Sequence, residues 1–363
     1  MNLTWGAAWV RLSRVRTLLI SDLHLGSRMG FDVLRRPEPL AALITALEGI
    51  DRLVLMGDVV ELLEGRPSRA MAEAEPVMRE LGAALGRGRE AVIVPGNHDH
   101  LLLRPWLRER MDAGTRIGVS VRVAVRSSGR LEQLASWLKP ARVSVRYPGF
   151  KVAPGVFATH GHYLDRHLVP HLPVSVARGP LTPLPDRARP EDYERASGLS
   201  AAAVQGLVAT ALPGAIGDPF DLAAGAVRRL ALAALPLSTL LRGSELVAPL
   251  SAGLLGMQFR RVGLPAMART VRTLGVRAQH VIFGHLHRAG PLASDPPAEW
   301  TQAGLDGPVR LHNTGSWVYE PLLVAGMRPP HPYWPGGAVL VEEGRAPRTL
   351  TLLDDLSPEH LLP

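Results

Sequence analysis

The 363-residue chain is 46% hydrophobic and 20% charged, enough apolar material for a large core, so wholesale disorder is excluded. It has no cysteine, which excludes disulfides and thiolate metal sites and leaves His, Asp, Glu and Asn as the available metal ligands. The formal net charge of +8 calls for an anionic partner, yet lysine occurs only at Lys139 and Lys151, and an arginine-, alanine- and proline-rich composition also matches a GC-rich coding bias. Residues 1–16 hold Trp5, Trp9 and three arginines but no continuous apolar run, so no secretory leader is expected and the expected location is cytoplasmic.

Residues 17–100 predict a βαβαβ run. Apolar strands over 17–21, 52–56 and 91–95 alternate with helices near 39–47 and 69–85, the second made amphipathic by Glu73, Glu75, Arg79 and Glu80. Further helix is expected within 101–140, including an amphipathic segment over 131–138. Residues 142–147 and 152–158 then read as two strands with a break at Gly149 between them.

Between 163 and 275 the character changes. Six prolines from Pro170 to Pro190 argue against regular structure and predict an extended strap. Helices rich in Ala and Leu are expected over 199–212, from an Asp218-Pro219 start to 235, and in pieces between 245 and 274. Residues 196–217 carry no charge, but Ser197, Ser200, Gln205, Thr210 and Pro213 make them a poor membrane span. Residues 195–280 hold nine arginines against three acidic residues, Asp218, Asp221 and Glu245, so most of the surplus charge lies in this apolar stretch. It reads either as a helical cap with a solvated arginine face or as a lid that handles an amphiphilic anion at a membrane surface. Strands over 279–284, 309–312, 338–342 and 349–353 follow, which divides the chain into a core of 17–162 with 276–363 and an insert of 163–275.

Five of these strands deliver polar residues at their carboxyl ends, where parallel α/β sheets place their chemistry. They bring Asp22 and His24, Asp58, Asn97-His98-Asp99, His160-Gly161-His162, and His285 with His287. Asp22, His24, Asp58, Asn97, His160, His285 and His287 are too many donors for one closed tetrahedral ion and suit two divalent ions sharing a carboxylate. Alternate residues of an extended segment project to one side, so Asp22 with His24, and His285 with His287, can each reach a common cluster.

The series Asp22-Leu23-His24, Gly57-Asp58, Gly96-Asn97-His98-Asp99, His160-Gly161-His162 and Gly284-His285-Leu286-His287 resembles the calcineurin-like metallophosphoesterase superfamily, over the whole chain except the insert. The resemblance implies an α/β fold built as a four-layer α/β/β/α sandwich with a helical insertion. It implies two divalent metal ions, manganese foremost and iron or zinc as alternatives. Asp22, His24 and His287 would hold one, Asn97, His160 and His285 the other, and Asp58 would bridge them. His98 would protonate the leaving oxygen or steady the attacked phosphate, oriented by Glu61 three residues after the bridging carboxylate. The implied reaction is in-line hydrolysis of a phosphoester or pyrophosphate by hydroxide generated between the ions. Asp99 is expected to hold its loop and His162 to contact substrate, while His100, His167, His171, His312 and His331 are expected to be structural or solvated. Asn313–Ser316 resembles a late turn that supports such sites.

Glu61-Leu62-Leu63 and Asp99 stand where phosphoprotein phosphatases of the superfamily carry Asp-Arg-Gly and a final Glu, which argues against a protein substrate. The runs Ile20–Gly26 and Gly57–Leu62 resemble the branch containing UDP-2,3-diacylglucosamine pyrophosphohydrolases, peripheral membrane proteins with a helical lid between the same two histidine motifs. His98 stands where that branch has Arg. The expected substrate is therefore a phosphorylated small molecule such as a nucleotide, or a lipid-linked compound, met in the cytoplasm or at the inner face of the membrane. An exonuclease or other nucleic-acid phosphodiesterase shares the Gly-His-x-His site, but clustered lysine and aromatic-basic interleaving are missing. A non-catalytic membrane-docking scaffold would lack a ligand, and none is lacking.

Overall fold

The computed structural model describes residues 15–168, 184–195, 248–249, 252–253, 255–257 and 259–362; the helices expected over 199–212 and 218–235, and most of the strap, lie outside the described residues. Side chains alternate across a strand, and here both faces are apolar. In β1 (Arg16–Ile20), β2 (Arg52–Leu55) and β3 (Glu90–Ile93), one face carries Leu18, Ile20, Leu53, Leu55, Ala91 and Ile93, and the other Leu19, Val54 and Val92. A sheet apolar on both sides has to be covered twice.

The first cover is helical. α1 (Pro37–Ala46), α2 (Pro67–Leu85) and, after α3 (Arg104–Asp112), α4 (Gly129–Trp137) bring Leu43, Met78, Leu81 and Leu134 onto that outer face. Proline occupies the first turn of α1, α2 and α3, where its missing N–H has no intrahelical partner to lose. The second cover is another sheet. Beyond β4 (Val121–Val123) and β5 (Arg142–Tyr147), the strands β6 (Gly149–Ala153), β7 (Val156–Thr159), β8 (His280–Phe283), β9 (Ala289–Gly290), β10 (Thr301–Ala303) and β11 (Pro308–Thr314) build it. Phe150, Val152, Val156, Ala158 and Ile282 then meet Leu19, Val54, Met56, Val92 and Val94 between the sheets.

With β12 (Gly337–Glu342) and β13 (Arg348–Thr351) the first sheet runs β13-β12-β1-β2-β3-β5-β4; the second runs β10-β11-β8-β7-β6, with β9 on β11. β1, β2, β3 and β5 are mutually parallel, as are β7, β8 and β11, so their carboxyl ends gather at one edge. Following the turn α5 (Asp165–Leu168), α6 (Leu264–Thr273) covers the far side of the second sheet, where Leu264, Met267 and Val271 pack with Phe157, Val281, Phe283 and Leu311. The layers are thus α/β/β/α, as expected.

Two local expectations change. Residues 152–158 are not one strand: the chain reverses at Pro154-Gly155, with Gly155 at φ +71°, so β6 and β7 pair antiparallel. The stretch 101–140 is interrupted by the short strand β4, whose three residues are too few for a periodic signal. α6 falls within 163–275, and so do residues 184–195, whose Ala188 and Tyr193 pack on Tyr163. No helix among the described residues is long and apolar enough to cross a membrane.

Candidate metal centre

The loops that follow the parallel strands are woven together by their backbones. Asp22 N–H donates to Gly57 O at 3.0 Å, His24 N–H to Asp58 O at 2.8 Å, and Gly284 N–H to His160 O at 2.9 Å. Among the described residues five non-glycine residues have φ in the left-handed region: Asp22, His24, Asp58, His285 and His287, between +43° and +68°. All five belong to the predicted ligand set. Such backbones persist only where the surroundings over-determine them, and they concentrate at functional sites.

The side chains converge accordingly. Donor atoms of Asp22, His24 and His287 lie within 4.8 Å of one another, as do those of Asp58, His160 and His285, and those of His24, Asp58 and His98. His160 Nε2 is 3.1 Å from both Asp58 Oδ2 and Asn97 Oδ1. His287 Nε2 is 3.3 Å from Asp22 Oδ1 and 3.3 Å from His24 Nε2. The room for this is provided by glycine: a β-carbon at Gly96 would strike Asp58 Oδ1, and one at Gly284 would strike Ser21 Oγ and Asp22 Oδ2.

Asp22 and Asp58 are almost wholly buried, and among the described residues neither is paired with Lys or Arg. Burial pushes the Asp22 carboxyl up, but the His287 hydrogen bond and the charge of His160 outweigh it and leave it at about 2. Burial also opposes ionisation of Asp58, and His160 and His98 hold it well below the usual carboxylate range. Burial lowers His24, yet its hydrogen bond to Glu61 and the charge of Asp58 carry it up to about 9. Buried anions that hold their charge against desolvation, ringed by imidazoles and an amide oxygen, are the donor chemistry of a mixed N/O site for divalent cations. The residues present fit two such ions.

Beside the cluster, Glu61 Oε2 accepts from both His98 Nδ1 at 2.7 Å and His24 Nδ1 at 2.9 Å. The sequence expectation linked Glu61 to His98; the second bond, to His24, could not be read from spacing. His98 N–H donates to Asp58 Oδ1 at 2.9 Å, which ties that ring's backbone to the carboxylate. Asp99 holds its loop, accepting from Gly96 N–H at 2.5 Å and Val59 N–H at 2.9 Å. Asn313 Nδ2 donates to Gly284 O at 2.8 Å and Thr314 Oγ1 lies 2.5 Å from Ser21 Oγ, so the late turn braces the Asp22 and His285 loops from behind.

His162 lies with its ring 5.5 Å from that of His160, and burial together with the His160 charge lowers it to about 3, so it is neutral near pH 7. His100 meets Glu194 at 3.1 Å, His167 meets Tyr193 at 2.8 Å, and His312 meets His280 at 3.0 Å; His171 lies outside the described residues. Sequence reasoning missed Asp165, whose oxygens stand 3.0 and 3.1 Å from His285 Nε2, and Glu194, buried against Tyr147 and Tyr163. Only the position of Asp165, five residues after His160, offered a signal.

Residues 15–177 match the family model described as calcineurin-like phosphoesterase. No curated protein matches the chain. Among solved structures the chain is similar to a dimetal phosphatase from Danio rerio, at 15% identity over 93% of this chain and 99% of that one, with a TM-score of 0.35.

Proposed function

We propose, from the premise that residues 15–177 belong to the calcineurin-like phosphoesterases, that this chain hydrolyses a phosphoester or pyrophosphate with the help of two divalent ions. The observation that carries the reading is the gathering of five left-handed backbone residues, all Asp or His, at one edge of two sheets. Asp22, His24 and His287 would hold one ion and Asn97, His160 and His285 the other, with Asp58 between them; manganese, iron or zinc suits this set. When bound, such a pair supplies Lewis-acid polarisation of a phosphoryl oxygen and a water of lowered pKa.

The chain's own residues do the rest. Because His98 Nδ1 is bonded to Glu61, Nε2 is the nitrogen that carries a proton to the departing oxygen. A positioned acid of this kind is worth ~10²–10⁴ in rate. The buried loop ends fix the donors before substrate arrives, so little reorganisation accompanies reaction. His162, neutral, hydrogen-bonds the substrate beside His160.

The substrate we infer is a phosphorylated small molecule or a lipid-linked compound, met by a cytoplasmic protein at the inner face of the membrane. Support comes from the surplus of arginine over acidic residues in 195–280 and from exposed Met257 and Val262 beside Arg260 and Arg261. Interleaved cationic and apolar side chains of this kind suit an anionic lipid surface.

The test is product release by protein stripped of metal, with and without added manganese, from a nitrophenyl monoester, a nitrophenyl diester, UDP-linked lipids and single-stranded DNA. Manganese-dependent, chelator-sensitive turnover is expected, with UDP-linked lipid ahead of DNA. Turnover untouched by chelation, or none on any substrate, would sink the reading, and a preference for DNA would replace the lipid substrate with nucleic acid.

A further inference from the structure

Three imidazoles of the centre share one arrangement. His24 donates from Nδ1 to Glu61 Oε2 at 2.9 Å and turns Nε2 toward His287. His160 donates from Nδ1 to Met56 O at 3.1 Å and turns Nε2 toward Asp58 and Asn97. In His285 the nitrogens are exchanged, and it is Nε2 that meets an acceptor, the Asp165 carboxylate, at 3.0 and 3.1 Å. A ligating imidazole is neutral with a single N–H, so the acceptor that takes the N–H leaves the lone pair on the other nitrogen.

We propose that Asp165 is a positioning residue for His285, holding the N–H on Nε2 so that Nδ1 faces the second ion; the inference rests on the dimetal reading above. The backbone N–H of His285 donates to Asp22 Oδ2 at 2.9 Å, so one carboxylate fixes the main chain and another fixes the ring. The side chains of His285 and Asp165 are 6% and 13% exposed, which shields their bond from water. The two residues lie 120 positions apart, and Asp165 comes from the first turn beyond the His160 motif. That turn is therefore part of the metal centre's support and not of a detachable cap. It does for His285 what Glu61 does for His24.

The experiment is titration of the apoprotein with cobalt(II), following visible d–d absorption and competition with a chelator. Wild type takes up two ions. Asp165→Asn binds one as wild type does and the other ~10–100-fold more weakly, with an altered band for that ion. Asp165→Glu, which keeps the anionic acceptor that the Asn amide replaces with a weaker neutral one, recovers most of the loss, and the thermal unfolding of apo Asp165→Asn stays close to that of wild type. Asp165→Ser serves as the second variant should Asn disturb the turn. In a His285→Ala background Asp165→Asn produces no further loss, because the ring it acts through is gone. Wild-type affinity and spectrum for both ions in Asp165→Asn would overturn the proposal, and so would an undiminished loss in the His285→Ala background. Wild type binding fewer than two ions would overturn the dimetal reading itself, and this inference with it.

Discussion

Asp22, His24, Asp58, His285 and His287 each hold a left-handed backbone that costs a non-glycine residue ~1–3 kcal/mol, and the surrounding hydrogen bonds and glycines keep them there. Gly284 has no such freedom to spare: any β-carbon there meets Ser21 and Asp22. Gly284→Ala should therefore displace Asp22 and lower kcat/KM by ~10²-fold or more, with bound metal falling alongside, since misplacement near 1 Å is that costly. Full metal content in the variant would contradict this. Glu61→Gln keeps the shape but removes the charge shared by His24 and His98, so kcat should drop ~10²-fold while the protein stays folded by circular dichroism; a wild-type kcat would deny Glu61 its orienting role. The convergence of Glu61 and the candidate strand-end donors was legible in the sequence because they keep short, fixed distances from apolar strands. Asp165 and Glu194 were not, because their partners are 120 and 94 positions distant, and only the closeness of Asp165 to the His160 motif hints at either one.

Residues 184–195 show how one element is fastened next to the centre. Glu191 accepts from Ile117 N–H at 3.2 Å, Tyr193 stacks on Tyr163 at 4.5 Å between ring centres, and Glu194 accepts from Tyr163 Oη at 2.6 Å and from His100 Nε2 at 3.1 Å. Burial pushes Glu194 up, but the hydrogen bond and charge of His100 bring it down to about 2, below its usual 4.5. That contribution is present above 4.5 and lost as pH falls toward 2. Burial opposes the charge on His100, and Glu194 raises it above its usual 6.5, so its contribution is present below 6.5 and lost as pH rises through the raised value. Both act together between 4.5 and 6.5. Hydrogen-exchange protection of 184–195 should accordingly be greatest in that window and decline in alkali, and the alkaline decline should vanish in Glu194→Gln. Protection that stays level from acid to alkali would refute the clasp. Proline content announced an extended strap here, but the burial of a carboxylate between two tyrosines depends on β5 and the His162 turn arriving from elsewhere.

At the scale of the molecule, the two sheets form because strands apolar on both faces must bury both. α6 completes the fourth layer, and Met267, fully buried on the second sheet, should cost ~2–5 kcal/mol when truncated to Ala, read as a fall in Tm. Replacing 196–247 with a short flexible linker leaves every contact described above in place. That variant should keep metal binding and turnover of a nitrophenyl diester, and its liposome binding should weaken without vanishing, because Met257, Arg260, Arg261 and Val262 remain. If it loses metal instead, the stretch belongs to the core. By itself the sequence determined the kinds of donor and their place at the ends of wholly apolar strands, because these depend on residue type and local order, while the two-sheet sandwich was implied by the family resemblance. Only the tertiary structure decided that α6 is a layer of the core, that Glu61 serves two imidazoles and that Asp165 meets His285. Such pairings join residues far apart in the chain, whose proximity is a property of the closed sandwich and not of any local segment.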